Sequence, residues 1–362
     1  MTLEPLTLGR AVALAAAFAA AGLAFVARSD DVGALDPLQR PAAASKNPSA
    51  AVLIAIARAG NRLVAVGDAG TVVLSDDGGA HWTQAQVPVG VTLTAVHFVD
   101  AQTGWAVGHS GVILATTDGG TSWRKQIDGF QARGLAVEPA LAGHGVPAAA
   151  GGEGDPLLDV HFEDARRGFA VGAFGRLLCT TDGGAHWRHC EGRLDNPDGN
   201  HLYAIRPAGG ALVVVGERGS VYVSRDQGAS FERVASPYEG SFFGVHAAPD
   251  GRLLVYGLRG HVFASPDLGR TWADLSPAAA SSAVTGAATL DDGRVALVSQ
   301  DGSVFVGGRP GESLGRLPER GPALSAAAAS PGGALVAVGP RGIVVLPKPA
   351  APPAAPAPAS AS

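Results

Sequence analysis

The side chains in this chain that could do chemistry come in a repeated set. "SDDGGAHW" (Ser75 to Trp82) returns as "TTDGGTSW" (Thr116 to Trp123) and "TTDGGAHW" (Thr180 to Trp187), and looser copies end at Phe231 and Trp272. Carboxylates at such spacing suggest acid/base or metal chemistry, but either needs two or more groups converging on one atom. Asp77, Asp118, Asp182, Asp226 and Asp267 occur once per repeat. In a ring of repeats they would stand on separate spokes, too far apart to act together. The architectural reading accounts for every position. Ser75, Thr116, Thr180, Ser224, Ser265 and the five aspartates are short chains that accept hydrogen bonds from turn N–H groups. Gly79, Gly120, Gly184, Gly228 and Gly269 supply backbone angles that a side chain makes costly. Trp82, Trp123, Trp187, Phe231 and Trp272 supply large apolar surfaces to bury between neighbouring units.

The remaining reactive groups are few. "HWRHC" sets His186, His189 and Cys190 close together, but on one extended strand, where side chains alternate in direction; zinc is not expected. Tyr238 next to Glu239 resembles a nucleophile and its partner, yet adjacent residues of an extended segment point apart. Cys179 and Cys190 occupy nearly mirrored positions of one hairpin. A cross-strand disulfide and two unpaired thiols both fit, the former requiring Cα atoms within about 7 Å. No cofactor is indicated.

The elements that position these residues follow from a longer repeat. The end of each first core strand falls at Gly67, Gly108, Gly172, Gly216, Gly257, Ser299 and Gly339, separated by 41, 64, 44, 41, 42 and 40 residues. Each unit holds an apolar segment such as "TLTAVHFVD", a strand, a tight turn, a second strand, the Asp motif and a short fourth strand. Four strands in about 40 residues is the arithmetic of a β-propeller blade, so the expected fold is all-β, a seven-bladed propeller spanning 31–347. The long interval contains an insertion within residues 132–155. The sixth copy replaces motif residues with Gly307 and Arg309, and the seventh stops before the motif. That would leave an open edge, which Ala34 to Ser45 is expected to pair with and close.

Composition agrees: 51 glycines and 25 prolines favour short strands and tight turns. A net charge of -5 with scattered Lys and Arg argues against nucleic-acid partners. Apolar residues 11–27 follow Arg10 and read as a signal peptide or uncleaved anchor within residues 1–30, directing the main domain to a periplasm or equivalent lumen. With no cysteine nearby, the segment is not that of a lipoprotein. Residues 348–362 form a Pro/Ala-rich tail expected to be disordered.

The hairpin resembles the Asp-box, or bacterial neuraminidase repeat. Sialidases share it, but their Tyr nucleophile with a Glu partner and their three carboxylate-gripping arginines have no clear counterpart in this chain. The combined pattern A-V-G-x-x-G-x-(I/V)-L-x-(S/T)-x-D-G-G, at 64–79, 105–120 and 169–184, resembles the photosystem II stability/assembly factor family. The resemblance implies a non-enzymatic, monomeric propeller that binds newly made membrane or exported proteins. Relatives linked to resistance-nodulation-division exporters offer an alternative role, as a sialidase-like hydrolase does. The family is known for an arginine patch, and Arg218, Arg259 and Arg341 are the candidates for its counterpart. They are expected on the face opposite the Asp motifs, with His109 and Phe174 in turns and Phe130, Tyr238, Phe242 and the insertion in blade-joining loops. Arginine and aromatic side chains together suit a contact surface.

Overall fold

The computed structural model describes residues 36–142, 152, 154–307, 309–318, 320–346 and 348. The leader expectation, residues 1–30, and all but Lys348 of the tail expectation, residues 348–362, lie outside the described residues.

The second strand of each repeat, such as Gly104–Gly108 and Leu253–Gly257, is apolar and buried along its length, apart from the half-buried Arg62 that opens the one in blade one and the buried Ser299 that ends the one in blade six. Continuous burial means both faces are covered, as happens when a sheet is sandwiched between two others. Here the neighbours are blades. Seven antiparallel sheets follow one another in chain order, six of four strands and one of three. The innermost strands are Leu53–Ala59, Leu93–Phe98, Leu157–Phe162, Leu202–Ala208, Phe242–Ala247, Val284–Thr289 and Ala326–Ala329. Most outermost strands are two residues long, and short edges discourage pairing with other chains.

The innermost strands share an irregularity. In blades one to six their pairing slips past the second residue, so that Ile54, Thr94, Leu158, Tyr203, Phe243 and Thr285 are each left bulged. A bulge re-aims side chains. All six of these residues line the central channel.

Aromatic packing staples the blades together. Trp105 of blade two stacks on Phe162 of blade three at 3.5 Å, and Phe162 meets Trp187 edge-on at 5.8 Å. Burying each such side chain stabilises by roughly 1.5–3 kcal/mol.

Two expectations need correction. The segment expected to add a fourth strand to blade seven does not do so. Ala42 donates to Val87 O, Gly90 donates to Pro37 O, and Leu38 is buried in the cluster between blades one and two. Among the described residues blade seven has three strands, and the ring closes through side chains, with Leu53, Ala65 and Val73 of blade one packed against Val338 and Ile343. The physical reason is that Leu38 finds an apolar seat beside Val87 and Val89, which an edge position on blade seven would leave in solvent. Of the insertion, residues 143–151 and 153 lie outside the described residues, and its described first part does not rise from the turn face either. After a one-turn helix at Gly129–Ala132, residues 136–141 lie along the outer edge of blade three, with Glu138 N donating to His189 O and His189 N to Ala136 O.

Candidate binding face and central channel

The repeated hairpins are self-contained. In blade one Ser75 Oγ donates to Asp77 Oδ1 at 2.9 Å and accepts from Gly79 N at 2.8 Å, while Asp77 Oδ1 also accepts from Ala80 N and His81 N. The same bonds recur at Thr116–Asp118–Gly120, Thr180–Asp182–Gly184, Ser224–Asp226–Gly228 and Ser265–Asp267–Gly269. The glycines carry φ of 101°, 84°, 85°, 82° and 88° in that order. Trp123, Trp187 and Phe231 are buried, whereas Trp82 and Trp272 are partly exposed, Trp272 donating to Ala235 O of the preceding inter-blade loop. Each carboxylate is saturated by its own turn. The N–H of His186, first, and then its ring hold the Asp182 carboxyl down at about 2. These aspartates are engaged in architecture, blade by blade.

The opposite ends of the blades carry the turns between second and third strands. Ala69, Ser110, Phe174, Arg218 and Arg259 occupy one equivalent position in blades one to five, with φ between 51° and 59°. Phe174, Arg218 and Arg259 are exposed there, on three consecutive blades. His109 is exposed too, but stands one residue earlier in its turn. Arg341, also exposed, sits in the tight hairpin where Gly339 pairs with Gly342, a different geometry from that of Arg218 and Arg259. Phe130 is exposed on the short helix. Tyr238 is half-buried beside His261, and with Arg218, Arg233 and Glu239 it lines a shallow groove. Phe242 is a correction: it is fully buried at the start of an innermost strand, among Val255 and Phe263, and offers nothing to a partner.

Cys179 and Cys190 form a disulfide with Cα atoms 6.0 Å apart. The one grouping of metal-ligating types among the described residues, Glu138 with these two cysteines, therefore has no thiolate to offer, and Glu138 forms a two-pronged pair with Arg193. His186 and His189 are engaged with Asp182 and Glu191 respectively, so "HWRHC" does not converge.

Sequence reading missed the channel. The fifth residues of the innermost strands of blades two to five are His97, His161, Arg206 and His246. His97, Arg206 and His246 line a cavity of about 490 Å³ that reaches the turn face, where Gln300 and Pro340 border it. Asp159 receives Ile205 N at 2.8 Å and an Arg206 guanidinium nitrogen. Burial, with help from the Arg206 charge, pushes His97 and His246 down to about 4. An aromatic lane leads from the rim to the mouth: Phe174 meets His201 at 4.9 Å, His201 meets Tyr203 at 6.3 Å, and Tyr203 meets Phe243 at 5.3 Å. The one signal available was the recurrence of "VHF", "VHF", "IRP" and "VHA" at one place in successive repeats.

With this geometry in hand, comparison with known proteins is decisive for family. The sequence profile for photosynthesis system II assembly factor YCF48 matches residues 80–133 and 153–323. The chain belongs to the YCF48 assembly factor family. It is an assembly-factor-like propeller. Among solved structures, a YCF48 bound to a D1 peptide is 19% identical with a TM-score of 0.63, covering 84% of this chain and 95% of that one. YCF48 from Cyanidioschyzon merolae is 16% identical with a TM-score of 0.57, covering 84% and 97%. A streptogramin B lyase reaches a TM-score of 0.64 at 10% identity, covering 84% and 95%. At these identities the likeness is one of fold. No curated protein matches the sequence.

Proposed function

We propose that this YCF48-family chain is a non-enzymatic assembly or accessory factor that docks membrane or exported proteins on its turn face, acting as a monomer in a periplasm or lumen. The observation that carries the reading is the row formed by Phe174, Arg218 and Arg259: three bulky, exposed side chains at one left-handed turn position in consecutive blades. A left-handed backbone costs an ordinary residue roughly 1–2 kcal/mol, and Ala69 and Ser110 show that small residues serve the turn equally well. Large side chains there are therefore not required by the fold, while arginine and aromatic groups are well suited to a partner. The related YCF48 bound to a D1 peptide supports a protein partner. The cavity at the ring's centre, lined by a single arginine and a single carboxylate, lacks the three-arginine grip of a sialidase, which supports a binding role over sugar cleavage.

The test is crosslinking and capture from membranes with the native chain and with Arg218, Arg259 and Arg341 all changed to Glu. Capture should be lost while the melting temperature is unchanged. Equal capture by the two proteins overturns the docking face.

A further inference from the structure

Arg206 brings more hydrogen-bond donors to the channel than the protein itself uses. Asp159 is saturated, its Oδ1 accepting from Val160 N at 2.9 Å and its Oδ2 from Ile205 N and Arg206 Nη1. Arg206 spends only Nη1, which also donates to its own Ile205 O at 2.7 Å. No described residue accepts from Nε or Nη2, and neither is a buried orphan, so both face the cavity. His97 donates Nε2 to Phe162 O at 3.0 Å, so the Nδ1 of its neutral ring is an acceptor, and His246 Nε2 meets Thr289 Oγ1 at 2.8 Å. Beside them His161 is buried with neither ring nitrogen bonded, its ring edge-on to His97 at 4.8 Å. Arg206 thus presents two donors to the cavity that no protein group uses, and they suit an occupant that accepts hydrogen bonds.

We propose that the central channel is a carboxylate-binding site in which Arg206 grips the ligand through Nε and Nη2, with His97 and His246 beside it in the same cavity.

The planar Nε and Nη2 fork matches the two oxygens of a carboxylate. A single guanidinium, already shared with Asp159, balances a monoanion better than a phosphate. At neutral pH both histidines are uncharged, so Arg206 is the cation the anion meets. The cavity, about 490 Å³ and open to the turn face, admits a small carboxylic acid or the carboxyl end of a peptide. This site is separate from the arginine and aromatic rim of the preceding section and does not depend on it.

The experiment follows the imidazole ¹⁵N resonances of His97 and His246 in the full chain during titration with succinate, with a pentaalanine peptide bearing a free C-terminus, and with its amidated form. Saturable shifts with succinate alone assign a small-acid ligand; shifts with the free but not the amidated peptide assign a chain terminus; either supports the site. Arg206→Lys keeps a cation beside Asp159 but loses the fork, and should weaken binding about tenfold. Absence of shifts with every probe, equal shifts from free and amidated peptide without succinate binding, or undiminished affinity in a folded Arg206→Lys protein overturns it. If that variant misfolds, the free and amidated peptides on the native chain still decide.

Discussion

Gly228, in the hairpin of blade four, lies directly against the ring of Phe169 in blade three: a Cβ added at Gly228 would fall 2.2 Å from Phe169 Cζ. The hairpin is thus also an inter-blade contact, and its glycine answers two demands, a φ of 82° and a missing side chain. Gly228→Ala should destabilise the propeller by about 2–3 kcal/mol in equilibrium denaturation, from backbone strain plus displacement of Phe169. Gly251, with φ 86° and nothing within 4 Å of an added Cβ, is the control. Gly251→Ala should cost about 1 kcal/mol, the backbone component alone.

Stability should fall in two stages on acidification. His97 and His246 are held at about 4, and His161 at about 2, by burial first. The unfolded chain binds protons on histidine near pH 6.5 while the folded chain does not, so these groups favour folding above that pH and the contribution is lost as pH falls toward 4. The hairpin carboxylates, Asp182 at about 2 among them, act lower: their contribution is present above about pH 4 and lost as pH falls through 2. Denaturant midpoints at pH 7, 5, 4 and 2.5 should decline at each step, and His246→Gln should flatten the first stage. A flat profile from pH 7 to 4 would contradict the burial of the histidines.

The bond between Cys179 and Cys190 closes a short loop, with a sequence separation of 11. Constraining a loop of this length contributes about 2–3 kcal/mol. Reduction, or Cys179→Ser with Cys190→Ser, should lower the melting temperature by several degrees and increase proteolysis of residues 136–142. That segment rests on His189 and Gly192 beside the bridge.

Leu38 is buried between blades one and two, 5% exposed. Leu38→Ala should destabilise by about 2 kcal/mol, read by denaturation, without opening the ring at blade seven. Were the segment a closing strand, the effect would instead be loss of the cooperative transition and gain of self-association.

The architecture was legible in the repeats. Repeats at about 41 residues, each with an apolar strand ending in Gly and an S/T-x-D-x-G-x-x-W/F hairpin, were enough for seven blades, because those bonds close within a few residues of one another. Arg218, Arg259 and Phe174 could be placed on a rim for the same reason: strand count alone sets which end a turn occupies. Phe242 could not be told from a loop residue, since its neighbours Ser241 and Phe243 do not reveal where the strand begins. Tertiary structure alone decided how the ring closes, because the seat of Leu38 is made from two blades. It also decided which way the innermost side chains point. "VHF" and "IRP" place one residue in two on each face, but the bulge three residues earlier shifts which face is the channel. The meeting of His97, Arg206 and His246, up to 149 residues apart in sequence, exists only once the blades stand in a circle.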